Sequence, residues 1–132
     1  MKKLAIATIA LAGVLALAGC AQNGDQSTVT NLALKDAKSH LLPGQSATAA
    51  GAWTWGSGYA VLTKTAGKND KGSYTNWEAY GYEQSGDSWK LVKSELVDGD
   101  TYTPAMTPHK ATCYALAESN GEEQQKCAQL TD

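Results

Sequence analysis

The chain has 132 residues and a net charge of −2, with eleven lysines and no arginine set against thirteen aspartates and glutamates. That is enough for one domain and not two. The missing arginine and the acidic balance argue against nucleic-acid or phosphate-rich partners, which rely on arginine or a basic stripe. A mildly acidic surface instead favours basic partners through electrostatic steering.

The first twenty residues have the three parts of a secretory signal. Met1-Lys2-Lys3 is a short positive start, Leu4 to Ala16 is an uncharged apolar run, and small residues lead to Cys20. Thirteen residues are too few to span a hydrocarbon core as a helix, which takes roughly 20, so a cleaved signal is expected over residues 1–19. Leu17-Ala18-Gly19-Cys20 resembles the lipobox of bacterial lipoproteins. That resemblance covers only the leader, and it implies that Cys20 is acylated and becomes the first mature residue. Ala21, rather than Asp, follows the cysteine. In Gram-negative lipoproteins this implies sorting to the outer membrane, with the domain facing the periplasm. In a Gram-positive host the same motif implies the outer face of the single membrane. Each buried methylene contributes about 0.8 kcal/mol, so two or three acyl chains make release slow where one would not.

Removing the leader leaves 113 residues, with nine lysines against thirteen acids and a charge of −4. A domain of that size buries roughly 65% of its unfolded surface and needs no metal to fold. Residues 20–28 read as the lipidated cysteine and a polar, flexible tether, and 29–132 as a single globular domain. Residues 30–42 read as a short helix, capped at Thr30 or Asn31, with Leu34, Ala37, Leu41 and Leu42 near one face and Pro43-Gly44 as its stop. Val29, Leu32 and Leu34 are equally compatible with the start of a strand. Gln45 to Ala52 reads as a loop or an edge.

Residues 53–97 carry the pattern of an antiparallel meander. Tyr59 to Thr65 is rich in β-branched and aromatic residues, and Gly67 to Gly72 reads as a loop. Ser73 to Glu83 forms a second strand, and Ser85-Gly86-Asp87 turns into a third over Trp89 to Val97, closed by Asp98-Gly99-Asp100. Short loops force neighbouring strands to be antiparallel. Trp53-Thr54-Trp55 adds an earlier strand, with Gly56-Ser57-Gly58 as a bend. The tail is open between two states. Thr107-Pro108 resembles a helix cap and first position, whereas Thr112 to Leu116 alternates as a strand would. Ser119 with Glu122 forms a capping box. The reading taken here is a strand at 111–117 followed by a helical or irregular end.

With Cys20 assigned to the lipid, Cys113 and Cys127 remain, and an oxidising compartment makes a disulfide the simplest pairing. It closes a 15-residue loop, worth about 3 kcal/mol in the chain-entropy model. The fold class expected is therefore α+β: a four- or five-stranded antiparallel sheet, one N-terminal helix and a disulfide-pinned C-terminus.

Little in the sequence points to chemistry. His40 and His109 are the only histidines, and neither is tied to a nucleophile; Ser57 lacks the flanking pattern of a nucleophile elbow. No His/Cys/Asp cluster has metal-ligand spacing, and no cofactor motif is present. The aromatic set is the main oddity, because four Trp and six Tyr stand against no Phe. Trp53 with Trp55, and Tyr80 with Tyr82, each share a face of a strand. Exposed, these pairs would anchor an interface or stack on sugars; buried, they fill the core. Lys68 and Lys71 lie in the loop of a hairpin, where binding contacts are commonly carried. The expectation is a non-enzymatic binding module with a protein or peptidoglycan partner, an inhibitor or immunity-type protein against a hydrolase or toxin. The alternative is an envelope scaffold contacting outer-membrane proteins or peptidoglycan.

Overall fold

The computed structural model describes residues 24–97, 106–117 and 120–130. The leader, Cys20, the Asp98-Gly99-Asp100 turn and Ser119 lie outside the described residues.

Helix α1 (Gly24–Lys38) places Val29, Ala33 and Ala37 at four-residue spacing on one buried stripe. Asp25 in its first turn and Lys35 and Lys38 in its last complement the helix dipole. The tether and the helix start are thus corrected. Residues 24–28 are helical, Ser27 is buried, and Gln26 Nε2 donates to the Ala52 carbonyl at 3.1 Å. Thr30 is no cap: it sits mid-helix, with its hydroxyl donating to the Gln26 carbonyl. The polar first turn is held by side-chain to backbone bonding, which apolar periodicity does not register. The helix also stops short of Leu42, which is 66% exposed.

Four strands follow: β1 (Ser46–Trp55), β2 (Gly58–Asn69), β3 (Gly72–Ser85) and β4 (Ser88–Val97). They form one sheet in the order β1-β2-β3-β4, every neighbour antiparallel. Gln45 to Ala52 is therefore mostly strand, stabilised by pairing with β2 despite its run of alanines. The expected six-residue loop shrinks to a two-residue turn at Asp70-Lys71, because β2 and β3 pair as far as Asn69 and Gly72. Gly72 has φ 115, a conformation other residues rarely adopt, and the Asn69 side chain accepts from the Lys71 amide.

Residues opposite one another in the register share a face. One face carries Ala47, Ala52, Val61, Tyr80 and Tyr82 and packs on α1. The other carries Ala60, Leu62, Ala79 and Val97, flanked by Trp53, Trp55 and Trp77. That second face is covered by helix α2 (Pro108–Ala117), through Ala111 and Leu116, and α2 is joined to helix α3 (Gly121–Ala128). The architecture is mixed α+β with a disulfide-pinned C-terminus, as composition and turn spacing indicate.

The strand reading of residues 111–117 is overturned. Pro108 opens a helix at its first position, where its missing N–H costs nothing, and Thr107 Oγ1 accepts from the Lys110 amide. At α3 the cap is Asn120, whose side chain accepts from the Glu122 and Glu123 amides at 3.1 Å each, in place of a Ser119 capping box. Cys113 and Cys127 form the expected disulfide, with Cα atoms 5.6 Å apart, and it joins α2 to α3.

Candidate functional site

Three regions among the described residues are candidates for contact with a partner. The first is the β2–β3 hairpin. β1 begins at Ser46, opposite Ala66, so the hairpin from Gly67 through Tyr74 runs past the end of its β1 neighbour. On the other side, β4 pairs with β3 only from Trp77 onward among the described residues. The tip carries exposed Lys68, Asn69, Asp70 and Lys71. Its base is braced rather than loose, because Gln45 Nε2 donates to the Tyr74 hydroxyl at 2.6 Å. Lys64, further down the hairpin, lies 5.6 Å from the centre of the Trp77 ring, a cation–π distance.

The second region is a cavity of about 400 Å³ between the sheet and the α2–α3 pair. Trp55 and Leu130 supply apolar wall, Glu83, His109, Glu123 and Lys126 supply polar groups, and the disulfide forms part of the lining. Such a mixture of apolar wall and few polar groups is common to pockets that accept a small group or a partner's side chain. His109 stacks flat on Trp53, with ring centres 5.0 Å apart and planes 4° apart. His40 sits far from it in sequence, exposed beyond the end of α1, with Nδ1 donating to the Asp36 carbonyl at 2.9 Å.

The third region is β4. Leu96 is 71% exposed, Val92 42% and Leu91 39%, on the outermost strand of the sheet. Val92 is the extra residue of a bulge, since Gly81 pairs with Lys93 and Tyr82 with Leu91.

The aromatic pairs divide between the faces. Trp53 and Trp55 do share a face, but they are half-buried against α2 and its surroundings. Their rings lie over glycines: a Cβ on Gly51 would fall 2.5 Å from the Trp53 ring, and one on Gly81 2.5 Å from that of Trp55. Tyr80 and Tyr82 share the opposite face and are 2% exposed, which takes them out of reach of a surface ligand. Their hydroxyls donate to Glu78 at 2.5 Å and to Asp36 at 2.6 Å. Burial first, and the carboxylate partner second, push both tyrosine pKa values well above their ordinary range.

Of the expected contact residues, then, Lys68 and Lys71 are brought together on an exposed tip, Trp55 enters the cavity wall, Trp53 is covered by His109, and Tyr80 and Tyr82 are core. The cavity group escaped the sequence because Glu83, His109 and Glu123 come from three separate elements. The only sequence signal near them is the spacing of Cys113 and Cys127. Comparison with known proteins finds no matching family, no similar curated protein and no similar solved structure.

Proposed function

We propose that this protein is a lipoprotein, acylated on Cys20 and held at the outer membrane facing the periplasm, whose domain is a non-catalytic binding module of the inhibitor or immunity type. The observation that carries the binding reading is the braced β2–β3 hairpin. It is a single compact projection, with Lys68, Asn69, Asp70 and Lys71 at an exposed tip and its base tied to Gln45. A projecting, pre-ordered loop loses little conformational freedom on docking, which favours tight association through a small surface.

The start of α1 adds to the membrane reading. Gly24 is four Cα steps from Cys20, a reach of about 14 Å at full extension. Because Gln26 and Ser27 are packed onto the sheet, the domain would lie against the membrane instead of swinging on a long tether.

The test is crosslinking in intact cells from a photoreactive residue at Asn69, compared with one at Ser57 in the β1–β2 turn. One soluble hydrolase or toxin joined from position 69 and not from 57, and losing activity when bound, is the expected result. Equal labelling from both positions, or none from 69, removes the inhibitor reading. Fractionation of a Cys20→Ala variant checks the anchor separately, since the expected outcome is a soluble or uncleaved product. A variant still fully in the membrane would refute acylation at Cys20. The exposed apolar residues of β4 favour the second reading, an envelope scaffold. Adducts with outer-membrane proteins or peptidoglycan fragments would place it first.

A further inference from the structure

From the charge of the projecting hairpin we infer that it docks into an acidic cleft of a partner protein. This rests on the hairpin being the docking element, and it adds the chemistry of the partner's side. The domain is acidic as a whole, and that charge alone would favour a basic partner. The hairpin is the exception. Residues 64–77 carry three lysines and one aspartate, whereas the other positions from Cys20 onward carry six lysines and twelve acids. The charge is therefore +2 over the hairpin and −6 over the remainder.

The fold groups these lysines and gives them no counter-charge across the strands. Strand period puts Lys64 and Lys68 on one face of β2, with only Ala66 between them on that face. The residues directly across from this row are neutral: Thr48 and Ser46 on β1, and Trp77, Thr75 and Ser73 on β3. Lys71 follows in the turn, beside Asp70, the one acid of the hairpin. Lys68 and Lys71 are exposed, and neither ammonium has an ion pair or hydrogen bond among the described residues. Lys64 differs, because its ammonium lies over the Trp77 ring.

Shape and charge together select the occupant. Past Ser46, and short of Trp77, no strand flanks the hairpin among the described residues, so its tip is narrow and convex. A convex tip brings both lysines into contact only with a concave partner. Its base is ordered beforehand by Gln45 on Tyr74, so the reach of each ammonium is set by the fold. Ammonium groups so placed match carboxylates at fixed positions, which form the stronger, charge-assisted hydrogen bonds. A mobile anionic polymer would gain nothing from that rigidity. The acidic remainder of the domain contributes as well: an acidic partner repels it and attracts the hairpin, so encounters are turned tip first. Paired carboxylates in a cleft are the working groups of many glycoside hydrolases, and a lysine seated between them would block the cleft.

The test is photocrosslinking in intact cells from a reactive residue at Ser73, which is exposed and lies across from Lys68. Adduct yield is measured, and the joined partner peptide is identified by mass spectrometry. Lys68→Glu with Lys71→Glu should cut the yield by about tenfold or more, and the two changes to Gln by several-fold. Asp70→Asn should hold or raise it. Lys35→Glu with Lys90→Glu makes the same change of net charge on exposed residues outside the hairpin. Screening mutes charges at a distance, so that pair should alter the yield by less than about twofold. Loss on reversal of the tip charges, with an adduct on a peptide rich in Asp and Glu, supports the acidic cleft. A yield unchanged or raised by that reversal leaves the hairpin as the docking element and overturns only the acidic partner. Equal loss from the Lys35 and Lys90 pair, or an adduct on a glycan instead of a protein, also overturns it. No adduct from position 73 in the parent removes the hairpin reading and this inference together.

Discussion

On the α1 face of the sheet the two fully buried rings are tyrosines, each with its hydroxyl bonded to a carboxylate (Tyr80 to Glu78 and Tyr82 to Asp36), while Trp89 is half-buried on the same face, edge-on to Tyr59. On the α2 face the rings are tryptophans, laid over Gly51 and Gly81, stacked on His109 or placed near Lys64. The first face is closed by a helix whose small residues Ala33 and Ala37 allow close approach and whose Asp36 accepts a hydrogen bond from the sheet. The second is closed by helices joined through a disulfide. The lesson is that a chain without phenylalanine buries aromatic rings in two ways. Tyrosine goes where a polar partner can meet its hydroxyl, because an unmatched buried hydroxyl costs about 1–3 kcal/mol. Trp53 and Trp55 lie where a missing Cβ leaves a flat seat for the ring, over Gly51 and Gly81.

The largest expected effect strikes the sheet that both faces share. Gly58 ends the β1–β2 register opposite Trp55, and a Cβ there would run into the Tyr82 carbonyl of the next strand. Backbone cannot move aside as a side-chain tip can, so Gly58→Ala should cost about 3 kcal/mol, at the upper end for overpacking. Chemical denaturation of the variant against the parent measures it, and a loss below 1 kcal/mol would show that the strands can part there.

The next effect separates the faces. Replacing Cys113 and Cys127 together by serine should cost about 3 kcal/mol. Hydrogen exchange should quicken in α2 and α3 before it does in α1, since the bridge constrains only the C-terminal helices. Uniform loss of protection across all three helices would show instead that the faces are one cooperative unit.

The smallest effect belongs to the tyrosine face. Tyr82→Phe removes the donor to Asp36, which is only partly buried and can turn to water, so about 1 kcal/mol should be lost. The same pair sets an alkaline limit. The folded-state pKa values of Tyr80 and Tyr82 lie above the ordinary value near 10. Below pH 10 both states keep these protons and stability is unaffected by them. Above it the unfolded chain releases protons that the folded chain retains, so stability falls as pH rises. Circular dichroism and tyrosinate absorbance, followed together through an alkaline titration, should show unfolding and ionisation rising in step. In a Tyr80→Phe, Tyr82→Phe variant the pH dependence should flatten; an unchanged slope would mean that these hydroxyls ionise without unfolding.

Much of this architecture is legible along the chain. Strand composition and the glycine-containing turns between the runs identify β2, β3 and β4, and the spacing of Cys113 and Cys127 near the end of the chain matches the disulfide that forms. What is not legible has specific causes. Residues 24–28 look like a tether because they hold no large apolar residue, and what ties them to the sheet is a bond from Gln26 to the Ala52 carbonyl of β1, a contact across 26 positions. Residues 111–117 alternate like a strand, yet Thr107-Pro108 starts a helix and Ala111 and Leu116 fall on the sheet side of it. Alternation and helical spacing overlap over so short a run, and packing against the sheet decides between them. The sharing of a face by Trp53 and Trp55, and by Tyr80 and Tyr82, follows from strand period alone. Which pair is buried, and against what, does not, because period 2 separates the two faces of a strand without saying what covers either. The residues by themselves therefore determined the antiparallel order of the central strands and the cysteine pairing, which rest on local backbone preference and composition, but not the length of the β2–β3 turn or the full extent of β1. Only the tertiary structure decided that Tyr80 and Tyr82 are core, that Lys68 and Lys71 share an exposed tip, and that β4 keeps Val92 and Leu96 uncovered, since burial is set by residues far away in the chain.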